Sequence, residues 1–161
     1  MKRFIYILAA AICLLTSCEK ELKFPEKLYG DWFCHSTSLT STDVYVYVSF
    51  NGDSFTLYQK IGEGAYRRYL GTYTLTPNIS ADGNSSYTLS GEYNDGTPWG
   101  AEYVVESNSN DVMTLTAGGV TETYTRVTGG IPEDVKNGAA TVKSNVDADN
   151  STDGSKGLRF L

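Results

Sequence analysis

The sequence predicts an all-β domain, an eight-stranded antiparallel up-and-down barrel, with a two-sheet β-sandwich as the alternative arrangement of the same strands. Three observations carry this expectation. From Leu28 onward apolar and polar residues alternate with period two. The alternation is broken by clusters of Gly, Asn, Asp and Ser at nearly regular spacing. Outside the N-terminal segment, no stretch combines the length and the 3.6-residue period of an amphipathic helix.

The strands are expected at Leu28 to His35, Val44 to Phe50, Ser54 to Ile61, Tyr66 to Leu75, Ser86 to Tyr93, Ala101 to Ser107, Val112 to Ala117 and Val120 to Val127. Asn51-Gly52-Asp53, Gly62-Glu63-Gly64, Asp95-Gly96-Thr97-Pro98, Asn108 to Asp111 and Gly118-Gly119 lie between them. These are hairpin connections, because Asn-Gly, Asp-Gly and Gly-Gly supply the positive φ that tight turns require. Within the strands one face is apolar. Val44, Val46, Val48 and Phe50 oppose Tyr45, Tyr47 and Ser49, and Phe55, Leu57 and Ile61 oppose Ser54, Thr56, Tyr58 and Lys60. Tyr87, Leu89 and Tyr93 oppose Ser86, Thr88, Ser90 and Glu92, while Met113, Leu115 and Tyr124 oppose rows of Thr. One apolar and one hydroxyl-rich face suit an antiparallel sheet in water. A membrane-spanning barrel needs an apolar outer band, and most of these strands are short for that.

Composition narrows the function classes. The chain has 161 residues, a fifth of them charged, and a formal net charge of -6, which suits one compact domain with additional tail. Nucleic acid is excluded as a partner, because neutralising phosphates needs clustered Lys and Arg. Arg67 and Arg68 are adjacent, but on a strand they project to opposite faces.

The N-terminus has the form of an address. Lys2 and Arg3 precede an apolar run from Phe4 to Leu15, too short for a bilayer span of roughly 20 residues and matched to a secretory signal. Leu15-Thr16-Ser17-Cys18 then resembles the lipobox of bacterial lipoproteins. The resemblance implies that residues 1–17 are a signal peptide and that Cys18 is acylated, its thiolate being the nucleophile that takes the lipid. About three acyl chains, at ~0.8 kcal/mol per buried CH₂, make such an anchor effectively permanent. Residues 18–27, beginning Cys18-Glu19-Lys20-Glu21, form a lipidated tether. Glu19 in place of Asp resembles lipoproteins sent to the outer membrane of the cell envelope, facing either the periplasm or the cell surface. With Cys13 removed and Cys18 acylated, Cys34 alone remains in the mature chain. It is expected as a small buried hydrophobe, with neither a disulfide nor a metal site.

Gly30-Asp31-Trp32 on the first strand resembles the Gly-x-Trp signature of lipocalins, and Arg126 on the last strand stands where that family sets an arginine against the tryptophan. Residues 28–128 are therefore similar to the lipocalin-like domains of Bacteroidetes lipoproteins. The chain departs from classical lipocalins in its short length and in having neither a C-terminal helix nor a disulfide. In this barrel Trp32, Val46, Val48, Phe55, Leu57, Tyr73, Leu89, Tyr103, Val105 and Leu115 are expected inside. They either fill it as core or line a cavity for a small apolar or amphipathic ligand. Tyr45, Tyr47, Tyr58 and Trp99 are expected outside, where rings pair across strands or stack on a glycan or a partner protein.

Residues 129–161 are rich in Gly, Ser, Asn, Asp, Ala and Lys and predict a flexible polar tail. Asp147 to Gly154 has alternating oxygen ligands, but the Gly lies two positions late for a calcium loop and no Glu closes it. The apolar end Gly157 to Leu161 is expected either to dock on the barrel or to meet a partner. Catalysis has little support. His35 is the single histidine, no Gly-x-Ser-x-Gly elbow is present, and Asp31 and His35 lie roughly 13 Å apart along a strand. The expectation is a monomeric, cofactor-free, non-enzymatic lipoprotein, anchored in the membrane by its acyl chains. It binds a small ligand or an envelope partner, or alternatively is a filled barrel that acts as a structural or enzyme-inhibitory interaction protein.

Overall fold

The computed structural model describes residues 26–37, 42–79, 85–107 and 109–141. The strands are β1 (Gly30–Ser36), β2 (Val44–Asn51), β3 (Ser54–Ile61), β4 (Arg67–Ile79), β5 (Ser85–Tyr93), β6 (Tyr103–Ser107), β7 (Val112–Ala117), β8 (Val120–Arg126) and β9 (Ala140–Thr141). A short helix, α1 (Glu133–Gly138), precedes β9. All eight expected strands form, each antiparallel to its sequence neighbours. Trp32 on β1 lies opposite Arg126 on β8, and β3 pairs with β4, so the sheet closes on itself. The fold is an eight-stranded, lipocalin-like up-and-down barrel, and closure excludes the two-sheet sandwich.

The barrel has two unlike ends. At the floor β1 begins, β8 ends and the β2–β3 turn lies; at the rim are the β3–β4 and β7–β8 connections. Period-two alternation determines what goes inside. β1 buries Trp32, Cys34 and Ser36, and β2 buries Val44, Val46, Val48 and Phe50. Of the ten residues expected inside, nine are buried, and Tyr103 is partly buried against them. Aliphatic or aromatic side chains buried this fully contribute about 1.5–3 kcal/mol each.

The floor is closed by the chain that enters it. Leu28 is fully buried beneath the barrel, and the Trp32 indole N–H donates to its carbonyl at 2.8 Å. Arg126 donates to the carbonyls of Lys27 (2.7 Å), Tyr29 (2.7 Å) and Asn110 (2.6 Å), with its guanidinium 4.2 Å from the centre of the Trp32 ring. Gly30 makes this possible twice over. Its φ of 117° is one that side-chain-bearing residues rarely adopt, and a Cβ there would lie 2.5 Å from the Arg126 guanidinium.

Three expectations are corrected. Residues 131–141 are not tail. Ile131 and Val135 bury themselves against Tyr58 on the outer face of β3, and β9 joins the rim end of β4 in parallel, with Ala140 opposite Arg67. A six-residue helix is too short to show a period and too short to stand alone. Tertiary burial of Val135 holds it, helped by acidic Glu133 and Asp134 in its first turn and Lys136 in its last. Residues 142–161, including Asp147 to Gly154 and the apolar end, lie outside the described residues, as does the whole N-terminal segment through Cys18.

Trp99 is the second correction. The connection from β5 to β6 is a fold-back and no plain hairpin: Pro98 bridges Glu92, and the Trp99 N–H donates to the Gly91 carbonyl at 2.8 Å. This carries the Trp99 ring into the core over Gly91, where a Cβ would run into the indole. The third is Tyr58, which points outward as expected yet is buried by the Ile131–Val135 segment. β4 also runs four residues past its expected end, through Pro77. β3 pairing stops at Thr72, so β4 is an edge there and tolerates a proline.

Candidate functional site

Inside the barrel, composition changes from floor to rim. The greater part of the interior is aliphatic and aromatic, with rings in direct contact from the start of β3 at the floor to the β5–β6 connection. Phe55 packs edge-on against Tyr93 (5.6 Å between centroids) and Trp99 (5.0 Å), and Phe50 against Tyr73 (5.0 Å). Gly71, on the β4 position facing Phe55, has no room even for a methyl group. This part of the interior is filled core.

Toward the rim, polar side chains point inward. Residues that share a face with Leu57 on β3 and Tyr69 on β4 include Gln59 and Arg67, which lie opposite each other in the ladder. On β8, Glu122 shares the inward face of Tyr124 and accepts a hydrogen bond from Ser36 Oγ at 2.6 Å. Cys34 Sγ lies 3.8 Å from the other Glu122 oxygen. Burial, reinforced by that carboxylate, pushes the Cys34 thiol up from 9.0 to about 12. Cys34 is therefore a packed thiol and no nucleophile at neutral pH.

At the rim itself a pocket of about 250 Å³ lies where the β3–β4 connection meets β9. Gln59, Ile61, Ala65, Tyr66, Arg67 and Ala140 line it. Its chemistry is mixed: aliphatic walls, one phenol ring, one amide and one guanidinium. The ten interior residues expected from the sequence are not in this lining. They form the core beneath it, while Glu122, Gln59, Arg67 and Ala140 are not among the site residues the sequence suggests; Arg67 enters there only beside Arg68, in the argument against a basic patch. Period two carried the signal for the first three, since Glu122 stands two before Tyr124, Gln59 two after Leu57, and Arg67 two before Tyr69.

The outer aromatics mostly have partners. Tyr45 stacks on His35 (4.6 Å, 5° between planes) with Lys60 Nζ 4.4 Å from its centroid. Tyr47 packs against Phe33 at 4.7 Å and Tyr66 at 6.0 Å. His35 meets Asp43 at 2.8 Å; the chain between β1 and β2 supplies this carboxylate, and Asp31 instead accepts from the Ile131 N–H at 3.3 Å. Among the described residues, no group of three or more His, Cys, Asp or Glu is placed to hold a metal ion.

Several buried acids give the barrel a pH signature. Desolvation raises the Tyr66 and Tyr73 phenols from 10.0 to about 12 and Tyr124 well above its ordinary value, alongside Cys34. The unfolded chain therefore releases these protons first as pH rises. The stability they contribute is complete below about pH 9 and is lost progressively toward about pH 12. Urea midpoints should be level up to about pH 9 and fall steeply above it; a midpoint unchanged at about pH 11.5 would contradict this origin.

The fold and the site together define a small lipocalin-like β-barrel with a packed floor and a polar, pocketed rim. Comparisons with protein-family models, with curated proteins and with solved structures found no match.

Proposed function

We propose that the chain is an acylated lipoprotein of the outer membrane, anchored through Cys18, whose barrel is a non-catalytic module that binds a small amphipathic ligand at its rim. The rim pocket carries this proposal. It joins apolar walls to a few polar groups, the combination that gives small-molecule sites both affinity and orientation, and it lies beside a ring-packed core. Its volume of about 250 Å³ lies just below the roughly 300–1,000 Å³ of drug-sized clefts. The ligand is correspondingly small.

The same packed core favours a second reading, an interaction protein that presents its rim loops to an envelope partner. Native mass spectrometry of protein purified from its own envelope separates the two. A co-purifying small molecule supports ligand binding, and a stoichiometric protein supports the interaction reading. The anchor is tested independently. Labelled palmitate is expected in the wild-type chain and absent from C18S, which should also leave the membrane fraction; equal labelling of both would refute acylation at Cys18.

A further inference from the structure

We propose that the rim pocket is a site for a small organic monocarboxylate, its carboxylate held by Arg67 and its apolar body enclosed by Ile61, Ala65 and Ala140. This rests on the ligand-binding reading above and specifies its chemistry.

Arg67 is the first residue of β4, and the ladder places it opposite Gln59, whose side chain is almost completely buried. The pocket is thus lined by a half-buried guanidinium and a buried amide that stand across from each other on adjacent strands. Arg67 is already engaged within the fold, but a guanidinium has five N–H donors in a planar fork. That fork is the matching shape for a carboxylate. The remaining lining is aliphatic, apart from Tyr66, and asks for hydrocarbon beyond the charged group.

Charge sharpens the choice. The chain carries a net charge of -6, so its overall field repels anions, and a guanidinium at a concave site supplies a local exception. Arg68, its neighbour, points the other way and is tied to Thr141, with Nε donating to the hydroxyl at 3.0 Å. That bond and the parallel pairing of Ala140 with Arg67 seat β9 as the pocket's last wall. The wall is set from a distance, because Ile131 and Val135 fix the preceding segment on the far side of β3.

The test uses the full ¹⁵N-labelled chain and two probe pairs, benzoate against benzamide and hexanoate against hexanamide. At least one carboxylate is expected to shift the amide signals of residues 59–67 and 140 saturably. Its neutral amide should bind at least tenfold more weakly, a difference of about 1.4 kcal/mol. R67M should lose the same factor while keeping a dispersed spectrum. A140F, which fills the pocket without touching the charge, should abolish the shifts and decides the matter if R67M does not fold. Failure of both carboxylates to saturate, or equal binding of an acid and its amide, overturns the proposal. Shifts confined to the core around Leu89, Val105 and Leu115 also overturn it, yet would leave ligand binding by the barrel standing. Loss of that broader reading would appear separately, as a protein partner and no small molecule in the native mass spectrum.

Discussion

R126M is expected to destabilise the barrel by about 3 kcal/mol, lowering the thermal midpoint on the order of 15 °C for a domain of this size. Arg126 donates to three backbone carbonyls, those of Lys27, Tyr29 and Asn110. Hydrogen bonds from a charged donor contribute about 1.5–3 kcal/mol each when well shielded, and Arg126 is only 22 % exposed. Its ion pair with Asp111, at 3.9 Å to a carboxylate that is 81 % exposed, adds little. Methionine keeps an apolar side chain of similar length and removes both the donors and the cation over Trp32. R126K is the informative companion: it restores charge, but one ammonium cannot reproduce a planar fork directed at three acceptors. Recovery of wild-type stability in R126K would show that charge alone matters, and a loss under 1 kcal/mol in R126M would remove the floor clamp from the account.

G71A should be as damaging although it adds a single methyl group. A Cβ at Gly71 would run into the Glu92 carbonyl oxygen and lie 2.6 Å from the Phe55 ring. The first obstacle is backbone of β5, which cannot rotate away as a side chain can. Overpacking of this kind costs typically 1–3 kcal/mol, and more where the backbone must move. G71A is therefore expected at about 3 kcal/mol or beyond, with disturbed contacts among Phe55, Tyr93 and Trp99. At Gly100 a Cβ meets nothing within 4 Å, so G100A should stay within about 0.5 kcal/mol. Equal denaturation midpoints for the two variants would contradict the claim that the interior around Phe55 is filled.

The barrel was legible because its strands face solvent on one side only. Val44 to Phe50 alternate cleanly, and Gly52, Gly62 and Gly118 mark turns whose positive φ is observed. Trp99 was not legible for a physical reason. Its burial depends on Gly91 leaving a hollow on a different strand and on a connection that folds back, neither of which is a local property. The same holds for Tyr58, which occupies an outward position and is covered by residues some seventy positions later in the chain. Residues 131–141 have a tail's composition and are held by two apolar side chains, too few to register as a pattern. The rim polar groups are different. Glu122, Gln59 and Arg67 stand on inward positions that parity alone identifies, but a charged residue there is read as a break in the pattern unless the alternation is followed through it.

The floor clamp has a mechanical consequence. The carbonyls of three consecutive residues, Lys27, Leu28 and Tyr29, are held by Arg126 and Trp32, so a leash attached upstream pulls on the seam between the first and last strands. For a chain acylated at Cys18, as proposed, tension from the bilayer would reach the barrel at that seam. That seam lies at the end of the barrel opposite the pocket, so a pull there is met by the floor before it reaches the pocket.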